Sequence, residues 1–154
     1  MNRISKLAPV MYFVAIVLVV IPVFDAATSV WPFHIANAQW RFAIVGLLSN
    51  ALLLPMIGAV MAVTIAVVQE HERTQKYLGI ASWVLAALMI VTLVTFGLDT
   101  LQSKAAIRPE MLTSYYAATS TAMIKLAVAE VALILIARAC RETEPVGRAI
   151  PFRK

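Results

Sequence analysis

Three stretches of this chain, Leu7 to Phe24, Phe42 to Val68 and Tyr77 to Leu98, hold no charged residue, and a fourth, Met111 to Ala137, holds only Lys125 and Glu130. A helix rises 1.5 Å per residue, so about 20 apolar residues cross a hydrocarbon core of about 30 Å. All four stretches meet that length, the first narrowly and the second and fourth with a surplus that implies tilt or protrusion. A water-soluble core is excluded by composition. The chain is 62% hydrophobic and only 14% charged, against roughly 25% charged in soluble domains. The expectation is therefore all-α: an integral membrane four-helix bundle with spans at about 7–24, 42–68, 77–98 and 111–137. No linker or repeat divides the 154 residues, so they read as a single transmembrane domain ending in a basic tail at 138–154.

Orientation follows from where Lys and Arg fall, because short segments rich in them stay cytoplasmic. With four spans, one face receives Arg3, Lys6, Arg73, Lys76, Arg138, Arg141, Arg148, Arg153 and Lys154, and the other only Arg41, Lys104 and Arg108. Both termini are expected inside, in the inner or plasma membrane of the cell. This asymmetry accounts for most of the net charge of +5, so nucleic-acid binding is not invoked. The partners expected are membrane lipids together with other membrane subunits or a second copy of the chain. A basic start before an apolar run also opens secretory signal peptides. Leu7 to Phe24 is long for one, and the A-x-A at Ala36 to Ala38 lies too far downstream, so the first span is expected to be retained.

Catalytic vocabulary is sparse. The only histidines, His34 and His71, fall in connections on opposite faces, so no transmembrane b-haem is supported. The single cysteine, Cys140, allows neither an internal disulfide nor a dithiol relay, and C-x-x-C, H-E-x-x-H, phosphate loops and nucleophile elbows are absent. No catalytic residue, metal ligand or cofactor is predicted. The acid that small multidrug-resistance transporters place in their first span has no counterpart here. Nor do the charged second-span motifs of membrane-associated eicosanoid and glutathione enzymes.

What remains is a small set of polar residues inside the spans. Lys125 stands deepest, where a charge costs at least about 2.5 to 3.5 kcal/mol. Ser114, Ala118, Thr121, Ala122, Ala129 and Ala132 recur around it at helical spacing, a small-residue stripe of the kind that packs helices. Lys125 is thus expected to point into the bundle, toward Ser49 and Asn50 of the second span and Thr92 and Thr95 of the third. Glu130, about 140° around the helix, is expected to be protonated, to meet Thr64 or Ser82, or to face a partner subunit. Pro55 is expected to kink the second span and free a carbonyl, and Gly58, Ala62 and Ala66 form a further small-residue stripe.

At the outer ends of the spans gather Asp25, His34, Arg41, Asp99, Lys104 and Arg108, with Trp31 and Trp40 at interface depth. Arg41 and Asp99 fall at one level, which predicts an ion pair between the second and third spans. The leading functional expectation is a non-catalytic accessory or scaffold subunit of a larger membrane complex. A small oligomeric transporter or channel using Lys125, Asn50 and Glu130 is the alternative. An enzyme acting at the outer interface through His34, Arg41 and Asp99 comes third.

Overall fold

The computed structural model describes residues 3–105 and 107–142, and every regular element among them is helical. The helices are α1 (Arg3–Ser29), α2 (Ala38–Ala51), α3 (Leu53–Val68), α4 (Glu72–Lys104) and α5 (Leu112–Glu142), with a single 3-10 turn at Pro109–Met111. The predicted tail beyond Glu142 lies outside the described residues, and so do the side chains of Arg3 and Lys6. At 27, 33 and 31 residues, α1, α4 and α5 reach about 40 to 50 Å. Each is long and apolar enough to cross a membrane, and α2 with α3 makes a fourth crossing if the bent pair counts as one span.

The second uncharged stretch differs from a continuous helix. It breaks at Leu52, where α2 and α3 meet at 47°. Pro55 explains the break: it has no N–H to donate to the Ala51 carbonyl, and its ring crowds that oxygen. The ladder resumes one residue later, with the Met56 N–H donating to Leu52 O at 3.0 Å. Asn37 starts α2, its Oδ1 accepting the Gln39 and Trp40 N–H groups at 2.9 and 3.3 Å, which satisfies donors the helix itself cannot.

A tight turn at Gln69 to His71 joins α3 to α4. Glu70 adopts φ 54°, and the Gln75 side-chain amide donates to Ala66 O at 2.8 Å across the turn. Buried Gln75 thereby joins the His71 N–H, at 2.9 Å, on the Ala66 carbonyl at the end of α3.

The helices α4 and α5 lie along each other, α2 packs on both, and α1 leans mainly on α3. The α1 contact depends on Gly58: a Cβ there would lie 2.7 Å from the Ala15 carbonyl oxygen and 2.9 Å from Val19 Cγ2. The opposite face of α1 is bare, with Val10, Phe13, Ile16, Ile21 and Phe24 all more than half exposed. An apolar helix open on most sides suits a hydrocarbon surrounding. The core falls into two clusters. One joins α2, α4 and α5 through Val45, Phe96, Ala122 and Leu126. The other joins α3 and α5 through Val63, Ile136 and Cys140. The break at Leu52 separates them, because it turns α3 away from the line of α2.

Candidate functional site: a polar seam between α2 and α5

Arg41 lies in the first turn of α2 and Asp99 near the end of α4. Their side chains meet in a two-pronged pair, Arg41 Nε donating to Asp99 Oδ2 at 2.8 Å and Nη2 to Oδ1 at 2.6 Å. Arg41 Nη1 also donates to Ile35 O at 2.7 Å, which ties the 30–37 connection to the same point. The Asp99 side chain is 5% exposed, so the pair works in a setting where charge-assisted bonds are strong and unpaired charge is costly.

Beneath it Phe42 stacks on both Phe96 and Tyr115, with ring centroids 5.2 Å apart in each case, and Tyr115 Oη donates to Thr100 O at 2.8 Å. Lys104 Nζ sits 5.6 Å from the centroid of the Tyr116 ring. Every group here is engaged in holding α2, α4 and α5 together. His34 is exposed and meets Trp40 edge-on at 6.4 Å. Asp25 lies exposed in the last turns of α1, its backbone oxygen accepting the Thr28 hydroxyl. The six outer residues predicted as a group therefore separate: Arg41 and Asp99 form a clasp, Lys104 sits over Tyr116, and Asp25, His34 and Arg108 are dispersed and exposed.

The intramembrane set is arranged otherwise. Lys125 Nζ donates to Asn50 Oδ1 at 2.6 Å, and both residues are exposed. The expectation that Lys125 points into the bundle is corrected: it lies on the rim, at the seam where α2 and α5 meet. The small-residue stripe explains the difference. Ala122 is buried against Val45 of α2 and Ala129 is buried too, while Ser114, Ala118 and Thr121 stay exposed on the same helix as Lys125. The stripe is wider than its neighbour helix, and Lys125 lies on the uncovered half.

Asn50 is the expected partner that Lys125 reaches. Ser49 donates to Gly46 O, and Thr92 and Thr95 donate to carbonyls of their own helix. Two clefts flank the Lys125–Asn50 bond. One, about 400 Å³, is walled by Gly46, Ala117, Ala118 and Thr121. The other, about 350 Å³, is walled by Leu53, Met56, Val128 and Ala132. Small side chains open the first, and the bend at Leu52 opens the second.

Glu130 is 8% exposed, and neither carboxyl oxygen has a hydrogen-bond partner among the described residues. It meets neither suggested hydroxyl: Thr64 donates to Val60 O, and Ser82 is buried without a bond to it. Five residues separate Glu130 from Lys125, which places them on opposite flanks of the buried face of α5.

Sequence reasoning missed one contact and one buried hydroxyl. Tyr12 Oη and His71 Nδ1 lie 3.1 Å apart with their rings stacked, which pins the first half of α1 to the α3–α4 turn. Thr119 Oγ1 of α5 is buried without a hydrogen-bond partner among the described residues. Neither carries a local sequence signal, since one is a long-range meeting and the other a lone hydroxyl on an apolar face.

No protein-family model, no curated protein and no solved structure matches this chain. Function is therefore argued from the residues themselves.

Proposed function

We propose that this chain is a multi-pass protein of the cell membrane, a four-span bundle with both termini in the cytoplasm, acting as a non-catalytic accessory or scaffold subunit. It docks on a larger membrane complex through the α2–α5 seam. The observation that carries this reading is the exposed Lys125–Asn50 pair. An ammonium near the middle of a crossing helix is not stable against lipid tails, and one amide oxygen satisfies only one of its three donors. A protein surface that covers the seam and supplies acceptors removes that cost. The small residues beside the pair support it, because they let a second helix approach closely.

Charge complementarity gives the partner its chemistry. A carboxylate on the partner helix can accept from Lys125 Nζ and from the Asn50 amide together, a charge-assisted arrangement. Self-association through this seam about a two-fold axis brings Lys125 toward its own copy, and like charges in a medium of low dielectric repel strongly. A different chain is favoured.

Co-purification in mild detergent tests the proposal. The parent chain and Lys125→Arg should recover a larger assembly, while Lys125→Met should yield the isolated chain with its helical content unchanged. Recovery of the parent only as a clean monomer or homodimer overturns it.

Glu130 favours a second reading, transport, because a buried carboxyl without a partner is a group a proton or cation pathway uses. Its position across α5 from Lys125 keeps the two from forming one continuous path. Flux in liposomes that falls with Glu130→Gln while the fold persists would promote this reading. An enzyme at the outer face has less support, since Arg41 and Asp99 are already committed to each other.

A further inference from the structure

A further cleft lies at the other end of the α4–α5 pair, beside the 69–71 turn. It measures about 820 Å³, and Arg73, Lys76 and Arg141 stand at its rim with Glu72. No acid among the described residues pairs with any of the three cations. Gly79 and Cys140 line it where α4 and α5 approach closely, a Cβ on Gly79 lying 3.0 Å from Cys140 Cβ. Below the rim, Ile80, Trp83 and Val84 continue the wall along α4. Positions 73, 76, 80 and 83 recur at helical spacing, so one face of α4 passes from basic to apolar within three turns.

That order matches the profile of a phospholipid entering from its headgroup. The charges sit where α4 leaves the uncharged run beginning at Tyr77, and Trp83, further along that run, is 41% exposed. We infer that this cleft binds an anionic phospholipid, its phosphate held by Arg73, Lys76 and Arg141 and its acyl chains lying against Ile80, Trp83 and Val84. Arg141 reaches the phosphate from α5 while Arg73 and Lys76 reach it from α4, so the lipid bridges the two helices. Basic pockets between membrane helices hold acidic headgroups in this way. A soluble phosphate ester shares the headgroup chemistry but would leave the apolar wall uncovered. The site is separate from the α2–α5 seam and does not depend on what covers that seam.

Trp83 provides the readout. Replacing Trp31 and Trp40 by Phe leaves it as the sole tryptophan, and the full chain is then placed in bilayer nanodiscs containing dibrominated phosphatidylglycerol or dibrominated phosphatidylcholine. Quenching should favour the anionic lipid by roughly five-fold or more in relative binding constant, the factor expected from even one basic residue near an acidic headgroup. The combined Arg73→Gln, Lys76→Gln and Arg141→Gln variant should quench equally with both lipids, and inorganic phosphate added in detergent should leave Trp83 emission unchanged. Equal quenching in the parent overturns the inference, as does a preference that survives all three substitutions. A Trp83 response to inorganic phosphate that the anionic lipid does not reproduce assigns the cleft to a soluble ligand and overturns it as well.

Discussion

Lys125 of α5 donates to Asn50 of α2 across an exposed seam, Nζ to Oδ1 at 2.6 Å, a few residues before α2 breaks at Leu52. The bond joins two helices and leaves most of the ammonium's hydrogen-bonding capacity facing outward. Asn50→Leu should therefore cost little in detergent, on the order of 1 kcal/mol by thermal unfolding. It should weaken assembly far more, because it removes both the brace on Lys125 and an amide donor.

The Arg41–Asp99 clasp should dominate the stability of the opposite end. Arg41→Ala strands a buried carboxylate, and a loss of about 3 kcal/mol is expected, visible as a lowered Tm in detergent. The double variant Arg41→Leu with Asp99→Leu should recover much of that loss. If the double variant is as unstable as the sum of its singles, the two residues act independently and the clasp is not what holds α2 to α4.

Gly58 and Gly46 make a contrasting pair. At Gly58 the obstacle to a Cβ is the Ala15 backbone oxygen at 2.7 Å, which cannot swing aside, while at Gly46 nothing lies within 4 Å. Gly58→Ala should push α1 off α3 at a cost of about 1 to 3 kcal/mol, and Gly46→Ala should be neutral or slightly stabilising. Cysteine cross-linking between α1 and α3 reports the separation directly.

Much of this architecture was legible in the sequence, and its gaps have physical reasons. The four apolar stretches correspond to α1, α2 with α3, α4 and α5, because the length needed to cross hydrocarbon is written into any such run. The Arg41–Asp99 pair was legible because two charges at matching levels on adjacent spans have few other partners. The kink near Pro55 was legible too, though the chain makes a full 47° break at Leu52. Lys125 was misplaced because a stripe of small residues shows that a helix is packed without showing how far around its neighbour reaches. The double stack on Phe42 and the Tyr12–His71 contact depend on meetings between distant residues, for which helical periodicity offers no signal.

Glu130 gives a prediction whose sign separates structural from functional roles. With both carboxyl oxygens buried and unpartnered among the described residues, Glu130→Met should raise stability by about 1 to 3 kcal/mol, the usual penalty of an unsatisfied buried polar group. A measured loss of stability would mean that the carboxyl has a partner in the membrane-embedded protein.

The most direct test of the seam as a docking face is photo-crosslinking from a probe at Ala118, on the exposed flank beside Lys125. The probe should capture a discrete second membrane protein, and the adduct should vanish with Lys125→Met and persist with Lys125→Arg. The same probe at Leu98 on α4, 55% exposed and away from the seam, should capture none. Adducts with lipid alone at Ala118, or an adduct indifferent to the charge at Lys125, would contradict the account.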